Sequence, residues 1–505
     1  MVAQQLRLLV IWALLVTSTL ADEPLRFRVT LSKDAASQPI TGRLLVFLSG
    51  TKSNRPMQSL DWFHPEPFCA TEVKDLAPGQ SVTLDDLADS FPEPLSQLPL
   101  GQYRVQAVLD QDFYYPEPAV GPGNIHSDVI EVDLRANATS LVEITLNQVI
   151  PEHEYKDQDL LKFVQIKSPQ LSAFHGREVI DRAAVILPAS YHNHPDRRYP
   201  VYYEVSGFGD SLDRVAKSGV PQGRAEAGPV EFIQVILTGE CKWGHHVYAN
   251  SATNGPRGDA LVHEMIPQID TTFRTVADPR ARFVGGHSSG GWSSLWLQIR
   301  YPNAFGGVWS SSPDPVDFRD WQGTNLYAVP TLSVFIDPAG DRRPLARFGP
   351  QVALFYDSFC KMDDVLGRGG QLRSFEAVFS ARDAHGQPSR CWDRSTGKVD
   401  PAIVEQWKAY DIGLQLEQNW PTLKDQLAGK IHIVMGDLDT FYLNGATRRL
   451  DERLKALGSD AVIEFLPAAD HFATHSVMAN RRGREMRAAY QDDFDIEGHA
   501  KEEKR

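Results

Sequence analysis

The sequence predicts an α/β fold with a mainly parallel sheet, preceded by a small N-terminal β-sandwich. Three observations carry that expectation. At 505 residues the chain exceeds what one hydrophobic core usually serves. Residues 22–150 read as short runs of alternating apolar and polar residues separated by Gly, Pro and Asp turns. Beyond residue 160, apolar strands alternate with helical periodicity instead.

The first stretch has the composition of a signal peptide. "MVAQQLR" carries one arginine, "LLVIWALLV" is a short apolar run, and Thr19-Leu20-Ala21 supplies small residues for a cut after Ala21. The run is too short to span a bilayer comfortably, and nothing downstream approaches a membrane span. The expectation is a secreted or periplasmic protein without a membrane span after cleavage of residues 1–21. A net charge of −14 and the lack of a basic stripe exclude a nucleic-acid partner.

From 22 to 150, "RFRVTLS", "GRLLVFLS", "YRVQAVLD", "SDVIEVDL" and "SLVEITLNQV" are the sandwich strands. Their apolar faces are expected to be buried within their own sandwich, leaving a separately folding unit. Trp62, His64, Tyr114 and Tyr115 offer a face for stacking on sugar rings, or simply core and rim aromatics. The charged "VIPEHEYKDQD" at 149–159 reads as the linker to a domain over 151–480. There, "LLKFVQIKS", "EVIDRAAVILP", "YPVYYEVS" and "VEFIQVILTG" are strands, and Leu261, Met265, Ile269 and Phe273 mark one helical face.

The chemistry centres on "ARFVGGHSSGGWSSLWLQIRYP". Ala281, Phe283 and Val284 form a short buried strand. After Gly-x-Ser-x-Gly, Trp292, Leu295, Trp296 and Ile299 fall on one face of a helix that stops by Pro302. A strand, a tight turn and a helix around Ser288 form a nucleophile elbow, in which Gly286 and Gly290 allow close backbone approach. A serine hydroxyl is a poor nucleophile without a base and an orienting acid, and α/β-hydrolases place them in the order Ser, acid, His. "GKIHIVMGDLDTFYL" ends a strand on Asp437 and Asp439, and Gly436-x-x-Asp439 is the more usual spacing. "AVIEFLPAADHFATH" offers His471, nearest the strand end, and His475. The expected oxyanion donors are the N–H of Ser289 and, in the "GFG" turn, of Phe208.

Four cysteines, Cys69, Cys241, Cys360 and Cys391, lack C-x-x-C spacing, and Cys360–Cys391 is the preferred disulfide, with buried free thiols the alternative. "HNHPD" at 192–196 is the nearest thing to a metal cluster, and no metal or other cofactor is expected. The charged segment 481–505 is expected to fray or to form a surface helix.

Taken together, "SAFHGREVIDRAAVILPASY", "YPVYYEVSGFG", "ALVHEMIPQIDTTF", "VGGHSSGGWSSLWLQIRYPNAFGGVWSSSP" and "ADHF" resemble the putative-esterase family of α/β-hydrolases, from about Leu161 to Val477. That group includes enterochelin, feruloyl and acetylxylan esterases and S-formylglutathione hydrolase. The resemblance implies a metal-independent serine esterase with Ser288, Asp439 and His471 as its triad, acting on a small-molecule or polysaccharide ester. Ser206-Gly207 departs from the family's usual His-Gly or Asp-Gly, and an insertion at about 313–426 is a candidate lid or side wall. "ECKWGHHVYANSATNGPRG" is a second candidate wall, with Trp243, His245 and His246 as tentative substrate contacts. A serine peptidase on the same fold, or a non-catalytic binding protein that retains it, are the competing readings.

Overall fold

A computed structural model of the chain describes residues 24–501, apart from 51–53, 59, 112–114, 116–118, 135–140, 220–229, 329–331 and 368–369. The expected signal peptide and Tyr114 lie outside the described residues.

Nine N-terminal strands form one hydrogen-bonded sheet, running from Ser81–Leu84 at one edge to Asp89–Phe91 at the other. Its strand Ile40–Ser49 pairs antiparallel with Phe68–Leu76 on one side and Gln102–Asp110 on the other. Successive side chains of a strand point to opposite faces, and here both faces are buried. Leu44, Val46 and Leu48 join Phe27, Val29 and Ile144 in the sheet's own core. Leu45 and Phe47, with Phe68, Phe91 and Val108, belong instead to the main core of the second unit. The continuous "LLVFL" run reflects this double burial. The expectation of apolar faces satisfied within the sandwich alone is therefore corrected: one face is shared.

Polar contacts reinforce the shared face. Arg43, 4% exposed, donates from Nε and Nη2 to the carbonyl of Val365 at 2.9 and 2.7 Å, at the end of helix Tyr356–Leu366. A guanidinium there satisfies a helix-end carbonyl and complements the negative end of the helix dipole. In the linker, Tyr155 donates to Asp213 at 2.9 Å, and Tyr115 donates to the same carboxylate at 2.8 Å.

The second unit is a mixed eight-stranded sheet flanked by helices. Its order is Leu161–Lys167, Ile180–Ile186, Ile233–Leu237, Val201–Val205, Arg282–His287, Gly307–Ser311, Ile431–Gly436 and Val462–Leu466. The first two pairings are antiparallel. The remaining five are parallel, so the carboxyl ends of Val201–Val205, Arg282–His287, Gly307–Ser311 and Ile431–Gly436 open on one edge. Every residue of helix Ser289–Arg300 except the last is buried. The 313–426 stretch packs over it: Trp292 lies 5.3 Å from Phe379, which meets Trp407 at 5.2 Å.

One other expectation is corrected. All four cysteines are free and buried, so Cys360 and Cys391 are unbonded and act as small apolar core residues. Of the two readings of the charged C-terminal segment, the helix is the one observed: Ala473–Asp493 is helical, with a few buried anchors on an otherwise exposed or half-buried surface. Its Met486 and Tyr490, with Phe494 beyond the end, pack against Tyr202, Phe283 and Trp309 of the sheet. The many charges occupy its other faces, which masked the widely spaced apolar anchors. Met486→Ala is accordingly expected to cost about 2–5 kcal/mol in urea unfolding. A frayed surface helix would lose less than about 0.5 kcal/mol at that position.

Candidate active site

Strand Arg282–His287 turns into helix Ser289–Arg300 at Ser288, whose φ of 58° and ψ of −123° lie in a region most L residues avoid. The two flanking glycines make that turn possible. A Cβ on Gly290 would sit 2.0 Å from the Val205 carbonyl oxygen, and one on Gly286 would sit 2.4 Å from the Gly290 carbonyl oxygen. Neither position tolerates a side chain. Ser288 N–H donates to Ser311 O at 3.0 Å, and Trp292 N–H to Ser288 O at 3.0 Å, which pins the turn on both sides. The result is a serine projected into a cavity of about 400 Å³ at the carboxyl edge of the sheet.

His471 lines the same cavity, on the loop after strand Val462–Leu466. Its Nδ1 lies 2.8 Å from Oδ2 of Asp439, and both residues are buried. The other Asp439 oxygen accepts from the N–H groups of Phe441 at 2.9 Å and Leu443 at 3.2 Å. A carboxylate held by two amides accepts at Oδ2, so Nδ1 of His471 carries the proton and Nε2 is left free to accept one. Asp437 is turned away: it pairs with Arg448 at the surface. His475 lines the cavity rim and is exposed.

The loop at 206–209 lies against the elbow. A Cβ on Gly207 would be 3.5 Å from His287 O and 3.9 Å from Ser288 Cβ. Phe208 lines the cavity, and Ser289 opens the helix, where first-turn N–H groups lack partners within the helix.

Three tentative contacts are corrected. His245, His246 and Trp243 are all buried and none lines this cavity. Their loop folds back in two short hairpins, Glu240–Cys241 with Gly244–His245 and Asn250–Ser251 with Gly255–Pro256. His245 Nδ1 accepts from Val247 N–H at 2.9 Å, so Nε2 bears the hydrogen and donates to Ser206 O at 3.1 Å. It thereby steadies the turn that carries Phe208, and burial pushes its pKa down to about 4. His246 Nδ1 accepts from Tyr248 N–H at 3.2 Å. Trp243 stacks beneath the Arg373 guanidinium, 5.3 Å from its ring, beside Cys241 and Ala377.

The structure adds groups the sequence did not single out. Asp314, just past strand Gly307–Ser311, accepts from the Ser289 hydroxyl at 2.5 Å and from the Ser288 side chain. Burial pushes its pKa up to about 6, against the pull of those hydroxyls and of His471. Its signal was position alone: "SSSPDP" ends a strand neighbouring the elbow. His287 packs 4.5 Å from the His471 ring and reaches Ser311 Oγ at 3.0 Å. Burial, then repulsion from His471 and His475, pushes its pKa down to about 2, so it stays neutral. Of the proposed stacking aromatics, Trp62 lines the cavity, His64 is exposed beside Asp61, and Tyr115 is tied to Asp213.

The sequence pattern of the family described as "Putative esterase" matches residues 180–494, more than half of the chain. The chain belongs to that family. Among curated relatives, Esterase Rv1288 of Mycobacterium tuberculosis is 29% identical over 160 residues, 31% of this chain and 34% of that protein. The match thus spans about a third of that relative. Among solved structures, the Staphylococcus aureus fluorophosphonate-binding serine hydrolase FphF is 14% identical with a TM-score of 0.40, covering 65% of this chain and 97% of that one. The ferulic acid esterase AmCE1/Fae1A of Anaeromyces mucronatus is 13% identical with a TM-score of 0.33, covering 65% and 92%.

Two outcomes follow for this member of the putative-esterase family. Only Asp439 reaches His471, so Asp439→Asn is expected to cut turnover by at least about a hundredfold, and Asp437→Asn by less than about threefold. The opposite ranking in steady-state assays would move the acid to Asp437. Asp314 ordinarily titrates near 3.8, and its folded value is about 6, so between these the folded chain holds a proton that the unfolded chain lacks. Stability therefore falls as pH rises through that window and stays lower above it. Asp314→Asn, which keeps an acceptor, is expected to gain up to about 3 kcal/mol at about pH 8 and nothing at about pH 4. Urea unfolding at both pH values checks this; an equal gain at each would refute it.

Proposed function

We propose that the chain is an exported serine esterase that hydrolyses carboxylic esters through an acyl-enzyme. The observation that carries this is the buried 2.8 Å contact between His471 and Asp439, facing the same cavity as the elbow serine. Ser288 Oγ attacks the ester carbonyl while His471 Nε2 takes its proton. The N–H groups of Ser289 and Phe208 hold the oxyanion of the tetrahedral intermediate. As the C–O bond to the alcohol breaks, His471 returns the proton to the leaving oxygen. Water, activated by the same imidazole, then attacks the Ser288 ester and releases the acid. Every group this sequence uses is a side chain or an amide of the chain, so it needs no metal.

Acylated polysaccharide or siderophore-like esters are the proposed natural substrates. The scaffold is read as an α/β-hydrolase core with a mainly parallel sheet, over which the N-terminal strands curl as a sandwich at 22–150. The hydrolase domain is taken as 151–480, continued by the helix that crosses 481.

A short-chain p-nitrophenyl ester and an aminoacyl anilide separate the esterase reading from a peptidase or a binding protein. The ester is expected to turn over and the anilide is not. Ser288→Ala is expected to lose about three or more orders of magnitude in ester turnover while its fold persists. A fluorophosphonate probe is expected to label Ser288 alone, read by peptide mass. Labelling of another serine, or unchanged turnover, would overturn the assignment.

A further inference from the structure

Trp62 belongs to the N-terminal unit, on the loop between strands Ile40–Ser49 and Phe68–Leu76, yet it lines the cavity of Ser288. Its half-buried indole meets rings from three separate parts of the second unit. Phe208 of the 206–209 loop lies 5.9 Å away, Phe359 of helix Tyr356–Leu366 5.0 Å edge-on, and Phe441 of the Asp439 loop 6.4 Å. Trp62, Phe208, Phe359 and Gln371 also line a second cavity of about 890 Å³ between the two units. These residues are the partition between the two spaces.

Acyl transfer fixes where the parts of an ester go. The leaving oxygen must approach His471, which protonates it, and the carbonyl oxygen must face the 206–209 loop and the start of the elbow helix. The remaining side is assigned to the acyl substituent, and Phe208 and Trp62, in contact with each other, are the cavity-lining rings that wall it. The chemistry of that end is plain. No Lys or Arg lines the cavity among the described residues, while Glu204, Asp210 and Asp314 do, so an anionic acyl group would meet carboxylates and no cation. Rings and apolar walls accept an uncharged hydrocarbon group, and each methylene buried against them adds to binding.

We propose that Trp62, supplied by the N-terminal sheet, is the specificity-determining residue for the acyl group: its indole is the end wall on which an uncharged, apolar acyl group larger than acetyl packs. This rests on the esterase reading above. It makes the N-terminal unit part of the substrate site and not an appendage, in agreement with the shared core beneath it.

The full-length chain is assayed with p-nitrophenyl acetate and p-nitrophenyl hexanoate, which share a leaving group. The quantity read is the ratio of their kcat/KM values. Wild type is expected to favour hexanoate. Trp62→Ala is expected to lower the ratio by about tenfold or more, mainly through KM for hexanoate, whereas Trp62→Phe keeps it within about threefold. Fluorophosphonate labelling at Ser288 shows that the elbow is intact in each variant. If Trp62→Ala does not fold, Trp62→Leu, which retains apolar bulk without the ring, reads the same loss. An unchanged ratio, or a Trp62→Phe loss equal to that of Trp62→Ala, overturns the role of Trp62 while leaving esterase activity standing. Failure of the wild type to hydrolyse either ester would remove the esterase reading, and this inference with it.

Discussion

The close approach of Gly290 and Gly286 to the main chain around Val205 is the constraint on which the site depends. With a Cβ on Gly290 placed 2.0 Å from a carbonyl oxygen, the elbow exists only because neither residue has a side chain. The same contact determines two other things. Strand Val201–Val205 continues directly into the 206–209 loop, so bringing Val205 against the elbow also brings Phe208 beside Ser288. The backbone at Ser288 carries strain of about 1–3 kcal/mol. It is held there by a helix buried over nearly its whole length and by hydrogen bonds to both flanking segments.

Around this elbow the chain builds a roof from two distant pieces of sequence. The 313–426 stretch contributes Phe359, Gln371 and Phe375, and the N-terminal loop contributes Trp62 and Phe63. Neither piece stands alone. Strand Ile40–Ser49 is apolar on both faces because it separates the N-terminal core from the hydrolase core. Arg43 ties that strand to the end of the insertion helix, and Phe91 and Phe68 pack from the same side. A change that loosens this interface therefore acts on the cavity as well as on stability.

Much of this was legible in the sequence, and what was not has a physical cause. Glycine spacing marked the elbow because backbone approach admits no other residue there. The strand ends bearing Asp439 and His471 were legible as positions, and Gly436-x-x-Asp439 spacing favoured Asp439 over Asp437. The physical reason, burial and two amide partners for Asp439 against a surface ion pair for Asp437, is not encoded in spacing. Trp243, His245 and His246 misled because a polar, aromatic loop has the same composition whether it faces a ligand or folds onto itself. Only the Val247 and Ser206 bonds of His245 distinguish the two. Helix Ala473–Asp493 was legible as a surface helix but its docking was not: a few anchors such as Met478, Met486 and Tyr490 suffice to fix a helix whose average composition is that of a surface.

The electrostatics of the cavity follow from its burial. His287, enclosed against His471, is driven neutral, so it packs the imidazole without placing a second positive charge beside it. Asp314 is driven towards its protonated form by the same loss of water, beside the serine hydroxyls it accepts from. A charged Asp314 would oppose an oxyanion forming at Ser288, whereas a neutral carboxyl there would not. Beside it lies the hydrogen-bonded couple of His471 and Asp439, with the Phe441 ring edge-on to the imidazole. An imidazolium formed in the proposed acyl transfer would be stabilised by the buried Asp439 carboxylate, and by Asp314 where that group is ionised. The sign of the lining charges sets a limit on the substrate. An ester that brought a negative charge into the cavity would lose hydration and meet Glu204, Asp210 and Asp314, with no Lys or Arg among the described lining residues.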